Sequence, residues 1–376
     1  MPFLDLNAVI APDAAAAAAY YPAGNWYSLL EIPARSEFPG TGADGNGISP
    51  NIHNQADFMR RVSSGGCLAC HQLGNAAIRN IPGLFSGYDT SIEAWDRRVR
   101  SGQAGGSMSR ALAGMGGRAL QMYADWTDRI AAGELPPVPE RPSGLERNVV
   151  ITQWDWADPT AYLHDLVSTD RRDPTRNAYG KIYGALENSA DYLPVLDPQT
   201  NTIAQIPVFP EDPDYNPEPS RPMAESPYWG GEPIWDASTT VHNPMLDQDG
   251  RVWITARARA PQDVPAFCQE GSDHPSAQAF PLGRSGRHLG VYDPDTEVYT
   301  PINTCFGTHH LMFAEDADNT LWTSGGGRVI GWLNTRQYLE TGDAVAAQGG
   351  TPFILDTNGN GRRAEDYVEP DQAVDP

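Results

Sequence analysis

Residues 242–257 read HNPMLDQDGRVWITAR, and residues 310–327 read HLMFAEDADNTLWTSGGG. Both begin with a histidine, run through a short apolar stretch, turn on acidic residues, and continue as Val/Leu-Trp-x-Thr. Apolar runs of strand length on either side of an Asp-rich, Gly- or Asn-containing corner predict two antiparallel strands joined by a tight turn. Residues 164–186, HDLVSTDRRDPTRNAYGKIYGAL, follow the same plan with a longer turn. Each stretch is followed by further strand-like residues: LPVLDPQTNTIAQIPV at 193–208, LGVYDPDTEVYTPI at 289–302 and VIGWLNT at 329–335.

Strand–turn–strand units repeated at this scale predict the four-stranded blades of a β-propeller. The pattern resembles the propellers of the streptogramin-lyase (virginiamycin B lyase) type over roughly residues 150–355. The spacing from His164 to His242 to His310 exceeds the ~40–50 residues of an ordinary blade, so residues 210–233 and 261–287 are expected to be loop-like insertions. About three or four blades are expected, few for a closed ring. The expectation is therefore a propeller completed by a second chain or by residues outside this one, with a compact four-bladed ring as the alternative.

At the start of each blade's inner strand, His164, His242 and His309 or His310 are expected to converge near the propeller axis. They would serve there as ligands of a second transition metal or as a base, or else as turn caps. The catalytic residues of the lyases do not map one by one onto this chain, so no catalytic residue is assigned. His274 and His288, in or beside an insertion, are expected at the surface. Ser324–Gly327 lacks the Lys-Ser/Thr of a phosphate loop and is expected to be a turn.

The helical part of the chain turns on GGCLACHQLG at 65–74. Cys67-Leu68-Ala69-Cys70-His71 is a C-x-x-C-H run, the attachment signature of c-type haem. Two thiols three apart each form a thioether to a porphyrin vinyl group, and the adjacent histidine lies under the iron. A thioredoxin-like pair would follow a strand, and none is expected before residue 67. A zinc site would need a second Cys/His pair at suitable spacing. Coincidence is the remaining alternative.

Residues 57–63 predict a short helix leading into the motif. Downstream, Trp95 and Val99 lie on one helical face, a Gly-rich loop presents Met108, and Ala119, Met122, Tyr123, Trp126 and Ile130 recur at helical spacing. The whole resembles a class I cytochrome c over residues 50–133. That likeness implies haem c held by Cys67, Cys70, His71 and an axial Met108, with Met115 in the next loop as the rival. Met122 lies on the apolar stripe and is expected in the core. The likeness also implies export, hence a periplasmic or extracellular location. Cys268 and Cys305 would fit an oxidising compartment as a disulfide, or stand as two unrelated buried thiols.

The expected organisation is an N-terminal extended segment over 1–49, a small all-α cytochrome c domain over 50–133, a linker over 134–150 and propeller blades over 151–376. The start of the chain lacks the basic residues of a secretion signal and is expected to be a mature N-terminus. Net charge is -22 with 40% hydrophobic residues and mean hydropathy -0.46. Such acidity opposes nucleic-acid binding, and no apolar run reaches the ~20 residues of a membrane span. Asp356, Asn358 and Asn360 offer oxygens on alternate residues, as in the opening of a calcium loop, although the twelfth position is Tyr367. The leading functional expectation is electron transfer through haem c between a redox partner protein and a site on the propeller. A lyase-like enzyme with an attached redox module, or a non-catalytic docking subunit, are the alternatives.

Overall fold

A computed structural model describes residues 9–352 except 64, 65, 70, 82, 102–104, 150–155, 157–162, 213–236 and 325–328. The described residues fall into two compact units, one over 9–149 and one from 156 onward.

Among the described residues the first unit is helical: α1 (Ala14–Ala18), α2 (Ala23–Tyr27), α3 (Gln55–Val62), α4 (Ala76–Arg79), α5 (Ser91–Val99), α6 (Gly105–Ala113) and α7 (Gly117–Ala131). Local chemistry starts these helices. The Asn54 side chain accepts the Asp57 N–H at the head of α3. Thr90 and Glu93 cap α5 reciprocally, each side chain accepting the other's backbone N–H. The apolar stripe of α7 buries Ala119, Met122, Tyr123 and Trp126. Trp95 of α5 stacks on Tyr123 at 5.0 Å and donates its indole N–H to Thr127.

Within the segment expected to be extended over 1–49, the described residues 9–49 fold against this same core. Leu30 and Ile48 are buried with Phe58, Met115 and Trp126, and Trp26 is buried as well. The Trp126 indole donates to the Trp26 carbonyl at 3.0 Å, and Ser49 N–H donates to the Met115 carbonyl at 2.9 Å. Helices of 5 residues, such as α1 and α2, form only where tertiary packing holds them, so an isolated reading of this stretch gives no helix.

Among its described residues the second unit holds three four-stranded antiparallel sheets. The first contains β1 (Asp165–Val167), β2 (Ile182–Ala185), β3 (Tyr192–Asp197) and β4 (Thr202–Pro207). The second contains β5 (His242–Leu246), β6 (Val252–Ala256), β7 (His288–Asp293) and β8 (Val298–Ile302). The third contains β9 (Leu311–Phe313), β10 (Thr320–Thr323), β11 (Val329–Asn334) and β12 (Gln348–Pro352). Each is a meander in which successive strands are neighbours. Short helices α8 (Pro275–Ala279) and α9 (Thr335–Thr341) lie in the connections.

Strand β6 explains how the sheets stack. All five of its residues are buried. Val252, Ile254 and Ala256 face a cluster shared with Tyr183, Leu193 and Val195 of the first sheet. Trp253, between them, faces Leu311, Phe313 and Leu321 of the third. Alternate residues of a strand point to opposite faces, so the middle sheet is covered on both sides. The first strands are adjacent, β1 beside β5 and β5 beside β9.

The acidic corners share a design. Asp247 Oδ1 accepts the N–H of Arg251, four residues on, and Gly250 takes the positive φ of +91°. Asp316 Oδ1 accepts the N–H of Thr320, also four on, with Asn319 at φ +51°. In the outer hairpins Asp197 and Asp293 accept the N–H two residues on, with Asn201 and Glu297 at positive φ. Aspartate side chains that bond the following backbone set such turns. Cys268 and Cys305 form a disulfide that joins the β6–β7 connection to the loop after β8. No helix among the described residues is long and apolar enough to cross a membrane.

Candidate functional site

The repeat places its histidines together. His164 directly precedes β1, His242 opens β5, and His309 and His310 precede β9. Because the first strands are neighbours, these four rings meet. Ring centroids of His164 and His242 are 4.6 Å apart, those of His242 and His309 are 4.5 Å apart, and those of His309 and His310 are 4.1 Å apart.

Asn243 ties the three strands at this point. Its N–H donates to Asp165 Oδ2 at 3.0 Å and its Oδ1 accepts the N–H of Leu311 at 2.7 Å. Asp165 Oδ2 also lies 3.0 Å from His164 Nδ1 and 2.9 Å from His242 Nδ1. His164 Nε2 faces Glu187 Oε2 at 3.8 Å. Glu187 in turn accepts from Arg287 Nη2 at 2.6 Å, and the same guanidinium donates to the Thr240 carbonyl. The backbone is strained here: Glu187, Thr240 and Asn243 adopt φ of +48°, +49° and +45°. For a β-branched threonine this is a genuine outlier, and such strain collects at sites where the fold over-determines a geometry. The β5 ladder also slips its register between His242 and Met245, a device that re-aims side chains.

The electrostatics follow from these contacts. Burial works against ionisation of Asp165, but the two imidazoles and the Asn243 N–H outweigh it and hold the carboxyl far below its usual range. The hydrogen bond to Asp165 raises His164, against the opposing effect of burial. His309 is lowered by burial and by the neighbouring imidazoles. Glu187 is lowered because Arg287 outweighs its burial. His242 is fully buried. Its Nδ1 contact with Asp165 is close but out of line for a formed hydrogen bond, and its Nε2 meets no partner among the described residues.

Asp165, Glu187, Asn243 and Arg287 were not foreseen from the chain. The acid next to His164 was the one available signal, and with 48 Asp and Glu in the sequence it does not stand out. His288, expected at the surface, is wholly buried as the first residue of β7. Its Nδ1 accepts the Ala258 N–H at 3.0 Å and its Nε2 bonds Ser285 Oγ at 2.9 Å. Burial lowers it well below the usual imidazole value, with Arg259 and Arg257 adding to the effect. His274 caps α8 and contacts the Val345 carbonyl at 2.9 Å.

In the helical unit, Cys67 follows α3 in a short 3-10 turn, and the Cys67 carbonyl accepts the His71 N–H at 2.9 Å. Tyr123 Oη donates to Cys67 Sγ at 3.4 Å. Gly74 needs its glycine: φ is +93° and a Cβ would stand 2.0 Å from the Ala23 carbonyl oxygen. Burial, aided by the Arg98 charge, lowers the His71 imidazole. It is therefore neutral at neutral pH, the form that ligates a metal. Arg98 donates to the carbonyls of Ile78 and Asn80 and stacks over Trp95, fixing the segment after the motif against α5.

Cys67 and Met108 both pack at the edge of the one buried core. Met108 is on a helix rather than the expected loop, because the Gly-Gly-Ser run opens α6. Met115 lies in the α6–α7 turn with 1% exposure, inside the core. Met122 is buried on α7, as its stripe position implies. Cys67, His71 and Met108 are a thiol, an imidazole and a thioether, the donor types of c-type haem ligation, and all three belong to this helical unit. Cys70, Asp356, Asn358 and Asn360 lie outside the described residues.

No protein-family model matches this chain, and no curated protein is significantly similar to it.

Proposed function

We propose that this chain is an extracytoplasmic redox protein, in which the helical unit carries a covalent haem c and passes single electrons to a partner protein. The observation that carries this reading is the Cys67-x-x-Cys70-His71 run, with Cys67 at the edge of the core beside Tyr123. Cys67 and Cys70 would hold the porphyrin, and His71 and Met108 would offer its iron an imidazole and a thioether. The haem supplies one-electron chemistry. The protein's part is to orient the ring, to exclude water with the Trp95, Tyr123 and Trp126 core, and to tune the potential through burial.

The three sheets are read as blades of a β-propeller. Supporting this are the meander order within each sheet, the adjacency of first strands, and the face-to-face apolar clusters. The described residues hold three such sheets, fewer than the blades of a closed ring. The Cys268–Cys305 disulfide fits an oxidising compartment. The functional assignment is tested by producing the chain with a c-type maturation system, extracting with acid acetone, and recording a reduced visible spectrum. A haem spectrum that stays with the polypeptide is expected. Colour that leaves with the solvent, or protein that is colourless after full maturation, would contradict it.

A further inference from the structure

The histidine cluster of the sheet unit has features that burial and packing leave unexplained. His242 has no exposure, yet its Nε2 meets no partner among the described residues. An unsatisfied buried polar atom costs about 1–3 kcal/mol, and three strained residues are held in place around this one. His288, equally buried, uses both ring nitrogens. The difference points to a group that His242 binds.

The surroundings say which group. One ring nitrogen each from His242, His309 and His310 lies within 4.8 Å of the others. On a tetrahedral ion with metal–nitrogen bonds of ~2.0–2.1 Å, such nitrogens stand about 3.4 Å apart. His310 is exposed, so rotating the more open rings of His309 and His310 closes the gap without moving His242. Asp165 Oδ2 lies 2.9 Å from His242 Nδ1, across the ring from the Nε2 that would face the ion. A carboxylate behind a ligating histidine is the usual means of fixing its orientation. His164 is not part of this set, because its two nitrogens face Asp165 at 3.0 Å and Glu187 at 3.8 Å. Imidazole donors select first-row transition ions over calcium or magnesium.

We propose that His242, His309 and His310 bind one first-row divalent transition ion, that Asp165 orients His242, and that the coordination sphere keeps an open position for water or a substrate oxygen. Three protein ligands plus an open position is the arrangement of a catalytic rather than a structural metal. This site lies wholly in the sheet unit and does not depend on the haem.

The test uses the full chain after chelation and dialysis, titrated with Zn2+ by calorimetry, with elemental analysis after desalting. One zinc per chain is expected, in addition to any haem iron. His309→Ala and His310→Ala should each weaken binding at least ~10-fold, and Asp165→Asn about 10–100-fold. His274→Gln should leave binding unchanged, because that ring caps α8 and contacts the Val345 carbonyl, apart from the cluster. His310 is exposed, so His310→Ala keeps the comparison valid even where a change at buried His242 prevents folding. A chain that takes up no zinc would overturn the proposal. So would zinc binding that the His309/His310 double variant leaves intact, or a loss in His274→Gln as large as in His310→Ala.

Discussion

His242 and His288 are both buried imidazoles at the head of a strand, and their different surroundings separate a site from a structural part. His288 accepts from Ala258 at Nδ1, so its proton sits on Nε2 and is donated to Ser285. Its folded value lies well below 6.5 because the charged form would be buried beside Arg259 and Arg257. Below about pH 6.5 the unfolded chain binds a proton that the folded chain refuses. Stability from this residue is therefore present above that pH and falls on acidification, by at most about 1.4 kcal/mol per pH unit. Denaturant midpoints between pH 7 and 5 should show that slope in the parent and a flatter one in His288→Gln. Equal slopes would contradict it. The four converging histidines were legible in the chain because they recur at one position of a repeat. Asp165, Glu187 and Arg287 were not, because a charged residue's partner depends on strands brought together from 78 or 100 residues away.

At the scale of elements, the Asp-x-Asp-Gly-x-Val-Trp run is explained by one side chain. Asp247 is fully buried: Oδ1 holds the turn through Asp249 and Arg251, and Oδ2 accepts the Trp253 indole N–H at 2.9 Å. Asp247→Ala removes a charged acceptor from a buried donor. It should destabilise the sheet unit by about 2–3 kcal/mol, read as a lower urea midpoint, and Asp247→Asn should recover part of the loss. Reducing the Cys268–Cys305 disulfide frees a loop with a sequence separation of 37. On the chain-entropy account this costs roughly 4 kcal/mol, and thermal melts with and without reductant check it. Strand pairs and turns were readable because turn chemistry and period-two burial are local. Met108 was misplaced onto a loop because a Gly-Gly-Ser run reads as a break, whereas tertiary packing lets α6 start within it.

At the scale of the molecule, the two units have separate cores, so the two proposed chemistries are tested separately. The N-terminal segment belongs to the helical core through Trp26, which is 5% exposed. Trp26→Ala should cost that unit about 3–5 kcal/mol. Calorimetry should then show the helical transition lowered and the sheet transition unmoved. The division into helical and sheet parts was visible in the change of hydrophobic period near residue 150. The contribution of residues 26–48 to the core was not, because its apolar residues follow no single period and meet their partners only in the folded chain. The most direct test of a redox protein built on Cys67, Cys70 and His71 is mass spectrometry of the tryptic peptide spanning residues 62–79 from fully matured protein. The account predicts that peptide carrying one porphyrin bound through both cysteines. The same peptide recovered unmodified, or with its two sulfurs joined to each other, would contradict it.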